Sequence, residues 1–173
     1  MSNVESVRDF ILRTEDRVEQ MLEQGTSREE ILGYLTSVGE AVSEPSNVVV
    51  SILILDEFGL LRNGASPRLP ADYLSAIDKL KPHPKLGTCA SAAATGNMVI
   101  TPDFLADDKW AELKHLPLAL GFVGAWSIPI ISESGKVLGT FGTYLHDVRR
   151  PSDQEIVDVK RLASLAAKVI EQT

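Results

Sequence analysis

The stretch Gly121 to Tyr144, GFVGAWSIPIISESGKVLGTFGTY, constrains this chain more than any other. Val123 to Ile131 is almost wholly apolar, and Val137 to Tyr144 sets Leu138, Phe141 and Tyr144 among glycines and threonines. Glu133-Ser134-Gly135-Lys136 between them has the composition of a tight turn, so the stretch reads as two antiparallel strands. Small residues beside large ones point to a sheet face that leaves room for something to approach. Alternation puts Trp126, Ile128 and Ile130 on one face, with Ser127 and Pro129 on the other. The pattern leaves open which face meets a pocket.

The rest of the chain supplies what such a hairpin must pack against. Val4, Val7, Ile11, Thr14, Val18 and Met21 recur at three- and four-residue steps, which predicts an amphipathic helix over 4–22. The same spacing is a heptad seam with one polar position, so this helix either packs on its own domain or pairs with a second copy. Gly25 ends it. Thr26 with Glu29, or Ser27 with Glu30, forms a capping box for a second helix reaching Val42, broken at Pro45-Ser46-Asn47.

Val48 to Leu55 is β-branched enough for a central strand, and Asp56 to Gly59 turns it back into a second strand over 60–65. A short helix over 72–80 places Tyr73, Leu74 and Ile77 on one side. Gly87 to Thr95 predicts a helix of small residues, able to approach a neighbour or a ligand closely, with Gly96 as its cap. A strand over 98–101 follows, then a helix from Trp110 to Leu120, strained or broken at Pro117. Ser152 and Glu155 open a final helix reaching Glu171 with two apolar stripes. One stripe can cover the sheet, and the other can meet the N-terminal helix of its own chain or a second one. This order of elements is α+β with a mainly antiparallel sheet.

Composition excludes several classes. The longest nearly apolar run, Val48 to Leu55, is far short of the roughly 20 residues a bilayer span needs, and Glu5, Arg8 and Asp9 interrupt any leader-like start. One cysteine in 173 residues forms no internal disulfide and fits a reducing cytoplasm. A net charge of −7 opposes non-specific nucleic-acid binding. The expected location is therefore cytoplasmic, without membrane or nucleic-acid partners.

The pieces GFVGAWSIPI, SESGKVLGTFGTY and RRPSDQE, with LGTCASAAATGNMVITPDFLADDKW and SILILDEFGLLRNGASPRLPADYLSAID upstream, resemble a GAF domain over 27–172. The type is that of bacterial sensor kinases, transcriptional regulators and cyclic-nucleotide signalling proteins. The resemblance implies a five-stranded GAF/PAS-like sheet, with terminal helices on one face and a ligand pocket with short helices on the other. It divides the chain into a helix over 1–25, available for dimerisation, and a GAF domain over 26–173. It implies a non-enzymatic sensory domain with a small-molecule effector and a signalling output outside these residues, and the heptad-like N-terminal seam with the two-stripe C-terminal helix predicts a homodimer through the terminal helices. A ligand-free dimerisation scaffold is the alternative.

Departures from relatives narrow the chemistry. Close relatives read G-S-C-G and A-C-W-S where this chain has Gly87-Thr88-Cys89-Ala90 and Gly124-Ala125-Trp126-Ser127, so the second cysteine is missing. GAF-type free-methionine-sulfoxide reductases need several cysteines, because a sulfenic acid must be resolved by another thiol. Bilin-binding relatives attach pigment through a cysteine often followed by histidine, and here Ala90 follows Cys89. The N-K-x-F-x-D-E pattern of phosphodiesterase GAF domains is absent. His83, His115 and His146 are too scattered for a zinc site, and Asp103, Asp107 and Asp108 read as a solvated loop. No metal, haem or other cofactor is expected.

The candidate site is a polar end at Thr88, Cys89 and Ala90 and an apolar wall of Trp126, Ile128, Ile130, Phe141 and Tyr144. Free N–H groups at the start of the small-residue helix suit an anion or a polar head group. GAF-type nitrate receptors bind their anion through such amides, which is what the resemblance lends here. No Arg or Lys lies within Gly87 to Met98, which favours a singly charged or neutral polar ligand over a polyphosphate. Trp110 and Trp126 each have a core reading and a pocket-wall reading, and Cys89 is either a small packing residue or a pocket thiol.

Overall fold

The computed structural model describes residues 3–43, 46–111 and 113–173, with side chains inside the first helix from Val7 onward. Pro45, expected to break the second helix, and the side chain of Val4, at the head of the heptad pattern, lie outside what is described. In chain order the elements are α1 (Asn3–Glu23), α2 (Arg28–Val42), β1 (Val48–Leu55), β2 (Leu61–Ala65), α3 (Ala71–Ile77), α4 (Cys89–Thr95), β3 (Val99–Thr101), α5 (His115–Leu118), β4 (Gly124–Ile131), β5 (Val137–Leu145) and α6 (Asp153–Gln172).

The strands form one antiparallel sheet in the order β2-β1-β5-β4-β3. Its centre is the pairing of the β-branched β1 with β5, from Val48↔Leu145 to Ile54↔Gly139. Only glycine fits at Gly139, because a Cβ there would meet the Leu53 carbonyl oxygen at 2.1 Å. The β1–β2 turn is built by Asp56, whose carboxylate accepts from the N–H of Phe58 and of Leu60 at 2.9 Å each, and by Gly59 at φ +76. The β4–β5 turn closes through Gly135 at φ +89. No helix among the described residues is long and apolar enough to cross a membrane.

The two faces of this sheet are covered differently. Val50 and Ile52 of β1, Trp126, Ile128 and Ile130 of β4 and Phe141 and Leu145 of β5 pack in one cluster with α1, α2 and α6. α2 comes so close that a Cβ on Gly39 would lie 2.9 Å from Phe141 Cζ. Ser27 is the N-cap of α2, accepting from Glu30 N–H at 3.2 Å, so the second of the two capping alternatives is the one used. The capping box of α6 is complete, with Ser152 and Glu155 each accepting the other's backbone N–H.

α1 lies on its own domain. Ile11, Thr14, Val18 and Met21 are buried against the same chain, and Arg161 of α6 pairs with Glu15 at 2.8 Å while Lys168 pairs with Glu19. The heptad seam is therefore occupied from within, by the second apolar stripe of α6.

Three helices are shorter than their sequence pattern. α3 ends at Ile77 instead of Leu80, because Asp78 is extended and Lys79 takes φ +64. α4 begins at Cys89 because Gly87 takes φ +64, a left-handed value that no right-handed helix contains. The expected helix from Trp110 to Leu120 is instead a 3-10 turn over Asp108–Trp110 followed by the four-residue α5. Pro117 has no N–H to return to Leu113, so a helix begun at Trp110 cannot run through it.

Candidate functional site

On the other face of the sheet α4 lies against β4 and β5. Its residues are small, and Ala90, Ser91 and Ala92 are buried. The link before it is tied down by Ser91 Oγ, which donates to the Pro84 carbonyl at 2.8 Å, and by His83 N–H, which donates to the Ala90 carbonyl at 3.1 Å. Gly96 at φ +69 caps its end, with its N–H on the Ala92 carbonyl at 2.9 Å. Beneath it the sheet is cut away. A Cβ on Gly142 would stand 2.9 Å from Cys89 Sγ, so glycine is what lets the thiol sit over β5.

Ser127 Oγ donates to Cys89 Sγ at 3.5 Å. Burial pushes the thiol above its ordinary pKa, with the Ser127, Thr140 and Thr88 hydroxyls pulling back, so Cys89 is a neutral thiol at physiological pH. It keeps part of its surface accessible. That surface adjoins a cavity of about 20 Å³, room for about one water.

Thr88, Cys89, Ala90, Leu53 and Tyr144 form the cavity floor, and Tyr73 and Trp110 its walls. The Tyr73 and Tyr144 hydroxyls lie 2.7 Å apart with their rings edge-on at 84°. Burial raises both phenols above their ordinary pKa, so both stay protonated. Trp110 stacks on Phe104, 4.3 Å between ring centroids, and its indole N–H is buried without a partner. Ile77, Leu80, Leu113 and Leu116 line the cavity while remaining half-buried, which makes an apolar mouth. No charged side chain among the described residues lines it.

Of the eight expected site residues, the structure brings together Thr88, Cys89, Ala90 and Tyr144. Trp126, Ile128, Ile130 and Phe141 lie on the opposite face, in the core beneath α2 and α6, and do not reach this cavity. The register decides it. Ala125 pairs with Tyr144 and Ser127 with Gly142, so the cavity side of β4 is Ala125 and Ser127, and the residues between them point to the helices. Tyr73, Leu113 and Leu116 were not expected at the site. A usable signal was present in the small set Ala125, Ser127, Thr140 and Gly142, which marks the side where the sheet does not fill its own space.

The expected anion site finds little support in this geometry. Thr88 makes no side-chain cap, Gly87 N–H is taken by the Lys109 carbonyl at 2.8 Å, and α4 has only seven residues. The acidic run does local work instead: Asp103 and Asp107 cap 3-10 turns, and Asp107 pairs with Lys109 at 2.8 Å. No group of three or more metal-binding side chains occurs among the described residues.

A twisted antiparallel sheet with long helices on one face and a cavity under a short helix on the other defines a class of α+β domain. Within that class the chain belongs to the GAF domain family, whose profile matches residues 25–171. It is similar to the methyl sulfide methyltransferase-associated sensor of Methanosarcina acetivorans, with 30% identity over 162 residues, 93% of this chain. The chain spans only 16% of that relative's length. Among solved structures it is similar to a domain assigned to a two-component sensor histidine kinase of Sinorhizobium meliloti, at 22% identity, TM-score 0.69, covering 84% of this chain and 92% of that one. It is similar too to the free methionine-R-sulfoxide reductase of Neisseria meningitidis in complex with its substrate, at 16% identity, TM-score 0.74, covering 99% and 92%. At these identities the two structures share its fold.

Proposed function

We propose that the chain is a GAF sensory domain that takes up a small effector beneath α4 and reports its occupancy through α1 and α6, as a homodimer and without catalysis of its own. The observation that carries this reading is the uncharged cavity with a half-buried apolar mouth, roofed by short elements instead of long helices. The similarity to a sensor protein supports it. As it stands the cavity admits about one water, so an effector enters by parting Ile77, Leu80, Leu113 and Leu116.

A route to the helices follows from strand alternation. Tyr144 lines the cavity and Ser127 touches Cys89 beside it, while their neighbours Thr143 and Trp126 face the helix layer, so a shift of β4 or β5 moves the seat of α6. The effector must bind more tightly to one seating than to the other. Leu12 of α1 and Val157 of α6 stay exposed at 44% and 53%, and a homodimer would cover them in place of the seam that the chain fills itself.

Lack of catalysis is supported by Cys89 being the sole cysteine, held protonated. A sulfenic acid formed there has no second thiol in the chain to resolve it. Native mass spectrometry after exposure to a cellular metabolite pool tests effector uptake, and an unchanged mass in every pool would count against it. Turnover of free methionine sulfoxide with a thiol reductant would overturn the non-enzymatic reading. Sedimentation as a monomer at micromolar concentration would overturn the homodimer.

A further inference from the structure

The cavity beneath α4 is bordered by hydrogen-bond donors that have no acceptor. Trp110 offers an indole N–H and nothing else, and that group is buried without a partner. The tyrosine pair adds another. Two hydroxyls 2.7 Å apart use one proton between them, which leaves one phenolic proton over at the junction of Tyr73 and Tyr144. The Thr88 and Thr140 hydroxyls turn toward the Cys89 sulfur. Ser127 directs its own proton onto the sulfur.

An unpaired buried donor carries a desolvation penalty of about 1–3 kcal/mol, so such a surplus calls for an acceptor. Trp126 has an unpaired indole N–H too, but there aliphatic side chains fill the surrounding space. Trp110 differs in adjoining a cavity with an apolar mouth.

The charge of that acceptor is decided by the lining. An anion leaving water needs a counter-charge or several strong donors, and no Lys, Arg or His lines the cavity. Lys109, on the turn that carries Trp110, is engaged by Asp107 at 2.8 and 2.9 Å. The titratable groups that do line it, Tyr73, Tyr144 and Cys89, are held neutral by burial. Among the described residues that line it, a cation would meet neither a carboxylate nor an amide carbonyl oxygen of a side chain.

We infer that the effector of this site is an uncharged, mainly apolar small molecule carrying a hydrogen-bond acceptor, which Trp110 Nε1–H and the spare phenolic proton of the Tyr73–Tyr144 pair receive. This rests on the effector-binding reading above and narrows it. The acceptor enters first, past Ile77, Leu80, Leu113 and Leu116, and its apolar body stays among those side chains.

Three probes of similar shape separate the possibilities: cyclohexanone, which has the acceptor; methylenecyclohexane, which lacks it; and cyclohexanecarboxylate, which is charged. The readout is the pair of indole N–H resonances in the ¹H–¹⁵N spectrum of the intact protein, assigned with Trp110→Phe. Cyclohexanone is expected to move the Trp110 resonance and leave that of Trp126 in place. It should bind about three- to tenfold more tightly than methylenecyclohexane, roughly what one net hydrogen bond supplies. Tyr73→Phe should reduce that preference, which keeps the test open if Trp110→Phe fails to fold. Equal binding of the ketone and the hydrocarbon would overturn the acceptor. Tighter binding of the carboxylate at Trp110 would overturn the neutral class while leaving the cavity as the effector site. No movement of the Trp110 resonance with any probe would overturn the inference together with the reading it rests on.

Discussion

The two faces of one sheet divide the work of this domain. β4 and β5 contribute to both through alternate residues. Toward α2 and α6 they present Trp126, Ile128, Ile130 and Phe141, all buried in one cluster with the helices. Toward α4 they present Ala125, Ser127, Thr140 and Gly142, with Tyr144 the one large residue. The difference lies in volume more than in polarity. Large aliphatic and aromatic groups go where three long helices fit over them, and small residues go where space is kept beneath a short helix.

The largest effect that separates the faces is expected from Phe141→Ala. The side chain is fully buried between β1, α2 and β4, and its loss should destabilise the fold by about 3–5 kcal/mol in urea unfolding. A cost below about 1 kcal/mol would mean that the helix face is not the close-packed core described here.

Gly142→Ala should cost about 1–3 kcal/mol, because the new methyl carbon meets Cys89 Sγ at 2.9 Å. Cys89→Ala removes that clash. In a double-mutant cycle most of the loss should return, whereas additive costs would show that the thiol does not sit over Gly142.

Much of this architecture was legible locally. The β4–β5 hairpin, the β-branched β1, the Asp56–Gly59 turn, the N-cap at Ser27 and the capping box at Ser152 are each signalled within a few residues. The facing of the sheet was not. Alternation sorts residues into two sets but carries no label for either, and the large aromatic and aliphatic set was assigned to the ligand when it belonged to the helices. Size was the better guide, since Gly142 and Ser127 are small where something must come close. The cavity walls were harder still. Tyr73 meets Tyr144 across 71 residues of chain, and Trp110 reaches the site because Pro117 denies it a long helix. Neither contact leaves a local pattern.

The helix layer also buries two carboxylates of α6, and pH exposes them. Asp158 of α6 is buried with one carboxylate oxygen unpaired. Burial raises its pKa above the usual 3.8, against the weaker opposing pull of Gln154 and Arg161. The folded state thus holds a proton that the unfolded chain has released, and stability from this group falls as pH rises from the ordinary carboxylate range through the folded pKa. Glu155 has the opposite sign. Burial pushes it up, but Arg149 and the Ser152 N–H outweigh this and hold it below its usual value, so its contribution is lost as pH falls. Asp158→Asn should therefore raise stability at neutral pH, and Glu155→Gln should lower it there. The reverse order in thermal melts at pH 7 would place these carboxylates wrongly.

The smallest effect is expected at the rim of the helix layer. Glu15→Gln removes the partner of Arg161 in a pair whose side chains are each 37% exposed, and should cost less than about 1 kcal/mol. Hydrogen exchange in α1 would report it. A larger loss would mean that α1 is held by charge and not by Ile11 and Val18.

The most direct test of the division between the faces is a structure of the protein purified without stripping bound molecules. A molecule that is not protein is expected beneath α4, touching Trp110 and Tyr144, with Ile77, Leu80, Leu113 and Leu116 parted around it and the packing of Trp126 and Phe141 still closed. A guest lodged among α1, α2 and α6, or a cavity beneath α4 filled by the chain's own side chains, would contradict this account.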